Sequence, residues 1–409
     1  MKKLLVIGFV WPEPKSSAAG KRMMQLLQFF QELEFEITFA STALNLEFSE
    51  NLESLQIKTQ QIVLNDNSFD TFCTELQPTI VLFDRFLTEE QFGWRVSQNS
   101  PNTIRILDTE DLHCLRHERQ KAVKENRHFQ LDSLLNSDLA CREIASIFRC
   151  DLTLMVSKFE IELLQNHFSV PSALLFYIPI LIDQIKTFNP YFNDRMDFAF
   201  IGNFLHEPNA DAVEYLSRFV WPAINIKLPE AKMMVYGAYP TQKIMGLNNP
   251  KTNFFIKGRA ENAKEIIKNA RVVLAPIRFG AGIKGKLLEA MQMGTPSVTS
   301  TVGAEGIASD TNWNGFVTNN PETFANHAVA LYTDSEIWAQ SQQNGYKILE
   351  ANFLKSPFET DFKNKIAQIQ NDFIDKRNLN FIGKMLMHHS NQSTKYLSKW
   401  IEEKNRFKS

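Results

Sequence analysis

The stretch from Phe279 to Ile307 reads FGAGIKGKLLEAMQMGTPSVTSTVGAEGI. Just before it, ARVVLAP (Ala270 to Pro276) is a short apolar run closed by proline, the pattern of a buried strand. The order is therefore strand, glycine-rich loop, helix, Gly-Thr-Pro stop, strand and a second glycine loop, which is how a parallel α/β sheet is assembled. Gly280, Gly282 and Gly285 leave the loop nearly bare where the helix begins. A helix start carries unpaired N–H groups and a partial positive charge, so a phosphate fits there. Lys284 and Lys286 add point charges. Glu289, three residues after Lys286, shares its helix face and is placed to accept hydrogen bonds from ribose hydroxyls. Leu287, Ala290 and Met291 turn toward the sheet. The alternative is an ordinary surface Lys–Glu pair, but a simple corner would not need three glycines. Leu287 after Lys286 breaks the Walker pattern, and no GxGxxG follows the first strand. A nucleoside triphosphatase and a dinucleotide enzyme are disfavoured.

Outward from this stretch, strand-like and helix-like runs alternate over the whole chain. Strands are expected at KLLVIGFV, EITFAS, TIVLFD, TIRILD, LTLMVS and ALLFYI, then at FAFIG, KMMVYG, TNFFIKG, RVVLAPI, PSVTS and GFVT. Amphipathic runs such as GKRMMQLLQFFQEL lie between them. The 409 residues suit two cores. The expected division is 1–183, a linker over 184–196, 197–372, and a helical extension over 373–409. Two such parallel sheets would face each other across a cleft, with ligands beyond the carboxyl ends of the strands.

GAGIKGKLLEAM followed by GTPSVTSTVGAEGI closely resembles the donor-site motif of family 4 glycosyltransferases (glycosyl transferases group 1). The resemblance extends over FAFIGNFLHEPNADAVEYL, MMVYGAYP and FFIKGRAENAKEIIKNARVVLAPIRF, and is looser in the first half. It implies the GT-B fold, an α/β architecture of two Rossmann-like domains. It also implies transfer of a hexose from a nucleoside diphosphate sugar, UDP- or GDP-linked, to a glycan, lipid or protein, with retention at the anomeric carbon. The implied donor residues are Gly20, Gly202, Asn203, Gly258, Arg259, Gly280, Ala281, Gly282, Lys284, Lys286, Glu289 and Glu305. Lys284 and Lys286 would stabilise the leaving diphosphate, and His113 would position donor sugar or acceptor. Two positions depart from the family pattern: Asn203 stands where a basic residue often follows the glycine, and Ala281 stands where the first glutamate of a Glu-x7-Glu motif would be. Both departures shift the weight onto Lys284, Lys286 and Glu289. Rival readings are a sugar-nucleotide epimerase of the same fold and a non-catalytic relative that binds a glycan or protein. No DxD motif is evident, so this reading requires no metal or other cofactor.

Asp84-Arg85 and Asp108 to His113 (DTEDLH) are further polar clusters at strand ends, and an Asp84–Arg85 salt bridge is the expected reading of the first. Residues 1–195 carry 19 basic and 26 acidic side chains, and the remainder 25 and 20, so the halves are about −7 and +5. The near-neutral total lacks a nucleic-acid footprint. Cys73, Cys114, Cys141 and Cys150 form no CxxC and no zinc spacing, which suits a reduced, cytoplasmic protein. Neither the MKKLLVIGFV start nor SALLFYIPILI is long enough to span a bilayer. The Lys-rich C-terminal helix is expected to pack back on the first domain through Trp400 and Ile401. A basic amphipathic foot, giving peripheral contact with the inner face of a membrane, is the alternative.

Overall fold

The computed structural model describes residues 2–45, 47–185, 189–308 and 312–406. Among these, seven parallel strands form one sheet: β1 (Lys2–Gly8), β2 (Phe35–Ser41), β3 (Lys58–Gln61), β4 (Ile80–Asp84), β5 (Ile104–Asp108), β6 (Leu152–Met155) and β7 (Leu175–Tyr177), in spatial order β3-β2-β1-β4-β5-β6-β7. Six more form a second parallel sheet: β8 (Met196–Ile201), β9 (Met233–Tyr236), β10 (Phe254–Gly258), β11 (Ala270–Ala275), β12 (Ser297–Thr299) and β13 (Gly315–Val317), in order β10-β9-β8-β11-β12-β13. The strand order reverses between β1 and β4, and again between β8 and β11. Crevices open at such switch points, beyond the carboxyl ends of the strands.

Burial on both sheet faces explains the unbroken apolar runs. Successive side chains of a strand point to opposite faces. Leu4 and Val6 of β1 join one core cluster with Ile80 and Leu82 of β4, while Leu5 and Ile7 join another with Val81 and Phe83. Of the strands above, β3 alone was not expected. It reads KTQQ, is wholly exposed and lies at the sheet edge. No apolar period marks such a strand; pairing with β2, Thr38 opposite Lys58, selects it.

The chain crosses between the two sheets at one place, twice. Ile182 N–H donates to Phe353 O at 2.8 Å, and Lys355 N–H donates back to Ile182 O at 3.0 Å. The division expected at 372/373 falls inside a helix, Lys355–Leu379, which follows this crossing. Its Phe362, Ile366 and Ile369 belong to the core under the first sheet, and Phe362 lies 5.4 Å from the rings of both Phe29 and Phe30. The expected linker is held rather than free. Arg195 is buried and donates to Pro190 O (2.9 Å), Thr295 Oγ1 (2.5 Å) and Met293 O (2.8 Å). Residues 186–188 of that linker lie outside the described residues.

The last helix, Phe381–Arg406, packs on the helices Arg85–Asn99 and Asp138–Arg149 of the first sheet. Trp400 is not its anchor, being mostly exposed. The anchor is polar: buried Arg95 donates to Asp70 (2.7 Å), to Ser398 (3.0 Å) and to Glu402. An apolar stripe therefore misidentifies the docking face of this helix. Removing one partner of a buried ion pair costs about 3–5 kcal/mol because the other charge stays buried. Arg95→Ala is expected to lose that much in urea unfolding and to expose the Phe381–Arg406 helix to protease first. Unchanged stability would refute the anchor.

Candidate active site

The glycine-rich loop runs from the end of β11 to a helix, Gly285–Gln292, and it meets the first sheet's residues directly. Gly282 has φ +63°, a left-handed conformation that glycine adopts without strain. A Cβ there would lie 2.8 Å from Asp111 Cβ and 3.1 Å from Glu110 O. Ala281 packs into the first sheet's apolar cluster, so a longer acidic side chain in its place would point into a core. Gly282 N–H donates to Glu160 Oε1 at 2.6 Å, and Leu112 N–H donates to the same oxygen at 3.3 Å. Buried Arg119 donates to Gly280 O (2.9 Å) and bidentately to Glu305 (2.8 Å to each oxygen). Glu305, an implied donor residue, is thus engaged across the cleft.

The two lysines differ. Lys284 Nζ donates to Gly282 O at 2.8 Å, and burial brings it down to about 8 while Glu305 pulls the other way. Lys286 reaches the end of β8, where its Nζ donates to Asn209 Oδ1 (2.5 Å) and sits 4.1 Å from the Phe200 ring. Burial alone pushes it down to about 7. A Cβ on Gly202 would stand 2.7 Å from Asn209 Cγ and 3.0 Å from Lys286 Nζ, so the glycine makes room for this pair. Asn203 holds the same turn: its side chain accepts from Leu205 N–H (2.9 Å) and its carbonyl from Asn209 (2.8 Å).

Glu289 does not pair with Lys286. Its partner is Lys21, from the helix Ala18–Glu32 of the first sheet. That helix begins against the donor-side helix, where a Cβ on Gly285 would meet Ala18 Cβ at 2.9 Å. Gly20 is required by its own loop: a Cβ would lie 2.5–2.7 Å from the Glu13 backbone. Arg259 stacks on Phe48 at 4.0 Å, beside the left-handed turn at Gly258 (φ +71°). Tyr239 nearby donates to Glu13 at 2.9 Å, so this rim also joins the two halves.

Across the loop, His113 opens the helix His113–Lys124, whose first N–H groups donate to Glu143 (3.0 and 2.7 Å). His113 Nε2 lies 3.4 Å from Asp111 Oδ1. Burial pulls the imidazole down to about 4, Asp111 opposing and Arg116 and Arg85 reinforcing, so it is neutral at neutral pH. Against the cost of burial, Arg116 and His113 hold Asp111 well below the usual carboxylate range. The Asp84–Arg85 pair is present at 3.6 Å. Arg85 and Glu110 both take left-handed backbone, φ +71° and +62°, at the ends of adjacent strands facing the cleft.

The expected residues Gly202, Asn203, Gly280, Ala281, Gly282, Lys284, Lys286, Glu289 and Glu305 thus converge on the ends of β8, β11 and β12, with His113 opposite. Gly258 and Arg259 line a separate rim. Residues 195–334 match the family described as Glycosyl transferases group 1. A sucrose-phosphate synthase from Thermosynechococcus elongatus superposes with a TM-score of 0.67 at 16% identity, covering 90% of this chain and 99% of that one. An S. aureus TarM mutant in complex with Fondaparinux, alpha-GlcNAc-glycerol and UDP does so at 0.67 and 10% (91% and 100% covered). Anabaena HepE in complex with UDP-glucose does so at 0.63 and 13% (90% and 100% covered). The whole chain has the GT-B fold, and its family match is confined to residues 195–334. No curated protein matches the sequence.

In this GT-B chain, Lys21, Arg119, Glu160 and Asn209 join the site without having been singled out from sequence. Asn209 alone had a signal, in HEPNAD, at the first turn of the helix Glu207–Tyr215 that follows the β8 glycine. The other three are ordinary charged positions on amphipathic helices. Glu160 carries a testable consequence. Burial, with Asp111 adding to it, raises its carboxyl from 4.5 to about 8. Between those values the folded chain keeps a proton that the unfolded chain has released, so stability falls as pH rises through the window. Glu160→Gln is expected to flatten part of that slope in urea titrations and to gain stability at the alkaline end. An unchanged slope would remove Glu160 as its source.

Proposed function

We propose that the protein transfers a sugar from a nucleoside diphosphate sugar to an acceptor hydroxyl on a glycan, lipid-linked or protein substrate, with retention at the anomeric carbon. The second-sheet half, residues 197–354, would hold the donor, and residues 1–183 the acceptor. The observation that carries this reading is Lys286: a half-buried amine at a helix start and a strand switch point, with a neutral amide and a ring for company and burial as the sole influence on its titration. A cation kept without a countercharge suits an incoming anion. UDP is the first nucleotide to test, because the HepE structures hold UDP and UDP-glucose; GDP is the second.

In the reaction, the bond from the anomeric carbon to the diphosphate breaks and negative charge grows on the departing oxygen. Lys286, Lys284 and the Gly285–Gln292 helix start would stabilise that charge, an electrostatic role of the oxyanion-hole kind. Glu289 would take the ribose hydroxyls, with Lys21 holding the carboxylate in place. His113, neutral, would position sugar or acceptor by hydrogen bonding. The contacts of Arg119 and Glu160 close the cleft over the loop and would limit hydrolysis.

Lys286→Ala is expected to slow transfer by about 10²–10³-fold and to weaken nucleotide binding; full turnover would remove its assignment. Glu289→Ala should weaken nucleotide binding, and unaltered affinity would remove the ribose role. Binding should also take up a proton. With Lys286 near 7 when free, a diphosphate raises its pKa, so affinity falls as pH climbs above that value. Calorimetry in buffers of different ionisation enthalpy reads this uptake, and Lys286→Ala should abolish most of it. A nucleotide at 100 times its Kd should stabilise the fold by about 2.7 kcal/mol; no shift with UDP, GDP or ADP would favour a non-catalytic module. Donor incubated without acceptor separates transfer from epimerisation, since an epimerase alters the free donor.

A further inference from the structure

The helix Phe381–Arg406 has a buried face, with Gly383, Met387, Ser398 and Glu402 turned to the first sheet's helices. Gly383 is seated so closely that a Cβ would lie 2.2 Å from Phe148 O. On the opposite face, Phe381, Ile382, Met385, Tyr396, Leu397 and Trp400 are each between 45 and 73% exposed. Ile382 and Met385 share one helix face with Tyr396 and Trp400, with exposed His389, Gln392 and Ser393 between the two pairs. A soluble surface seldom carries so many large apolar groups on one helix face without a partner.

The charges beside these groups decide what that partner is. Lys384, Lys395 and Lys404 flank them without a carboxylate partner among the described residues. Lys395 and Lys404 instead lie over Tyr396 (5.9 Å) and Trp400 (5.0 Å). Glu403, also exposed, is neutralised by Arg406 at 2.6 Å. Long lysine stems along apolar groups with free ammonium heads, together with Trp and Tyr, are what a helix lying in a lipid headgroup layer presents. A second copy packed about a two-fold axis would bring the same lysine rows together, which disfavours self-pairing.

We infer that the outer face of the Phe381–Arg406 helix is a docking surface for an anionic bilayer. The helix lies flat on the membrane, its exposed apolar groups in the headgroup boundary and its lysines on the phosphates. No described helix is long and apolar enough to cross a membrane, so the contact is peripheral through this face. The inference stands independently of the sugar-transfer reading.

The test uses the full chain and vesicles of phosphatidylcholine with and without phosphatidylglycerol. The parent is expected to co-sediment with the anionic vesicles and not with the neutral ones, and to release as salt rises. Lys384→Gln, Lys395→Gln and Lys404→Gln together should lower partition by about fivefold for each lysine removed. Phe381→Ser with Trp400→Ser should lower it by about tenfold for each side chain. These side chains are exposed, so melting temperature and nucleotide affinity should match the parent's; Tyr396→Ser with Leu397→Ser is the second variant pair should the first not fold. Failure to bind anionic vesicles overturns the inference, as do variants that bind like the parent. A dimer in light scattering that the serine variants dissociate would assign the face to a second copy instead.

Discussion

The seat of the glycine-rich loop against the first sheet's residues is the contact on which the site depends. Gly282 comes so near Asp111 that no side chain fits between them, and its N–H is taken by Glu160. Two residues earlier the Gly280 carbonyl is taken by Arg119, which also clamps Glu305. Two of the loop's polar backbone groups are thus satisfied by side chains from the opposite half of the molecule rather than by its own sheet. Buried backbone groups left without such partners would be costly. The closed arrangement is therefore held by hydrogen bonds and ion pairs across a cleft, and those contacts weaken together if the halves separate.

Within this closed seat the charges are not evenly matched. Glu289, Glu305 and Asp111 each have a basic partner, whereas Lys286 has an amide and a ring. Burial of an uncompensated amine lowers its basicity, and a diphosphate at the neighbouring helix start would relieve that. The same pocket shows why Asn203 tolerates the place of a basic residue. It shapes the turn that lets Asn209 reach Lys286, so the cation comes from the other side of the crevice.

Much of the fold was legible because parallel strands buried on both faces must be continuous apolar runs. TIVLFD, TIRILD and RVVLAPI can hardly be anything else. The exceptions are equally physical. KTQQ has no apolar residue, and only an edge partner makes it β3. The return crossing at Leu354 is a single bridge to Ile182, without a composition change to mark it. Trp400 looked like an anchor because apolar residues usually face inward, yet Arg95 with Glu402 and Ser398 supplies the anchor and leaves Trp400 outside.

Sequence alone determined two parallel α/β units, the strand–loop–helix junction at Gly280 to Gly285, and the lysines and glutamate that follow it. Local periodicity and backbone chemistry are written in neighbouring residues, so they can be read there. The tertiary structure alone decided that Glu289 meets Lys21, that Glu305 meets Arg119 and that Glu160 holds Gly282. Those partners lie more than a hundred residues apart. Which of many similar charged side chains meet is settled by how the two sheets close on each other, not by any pattern along the chain.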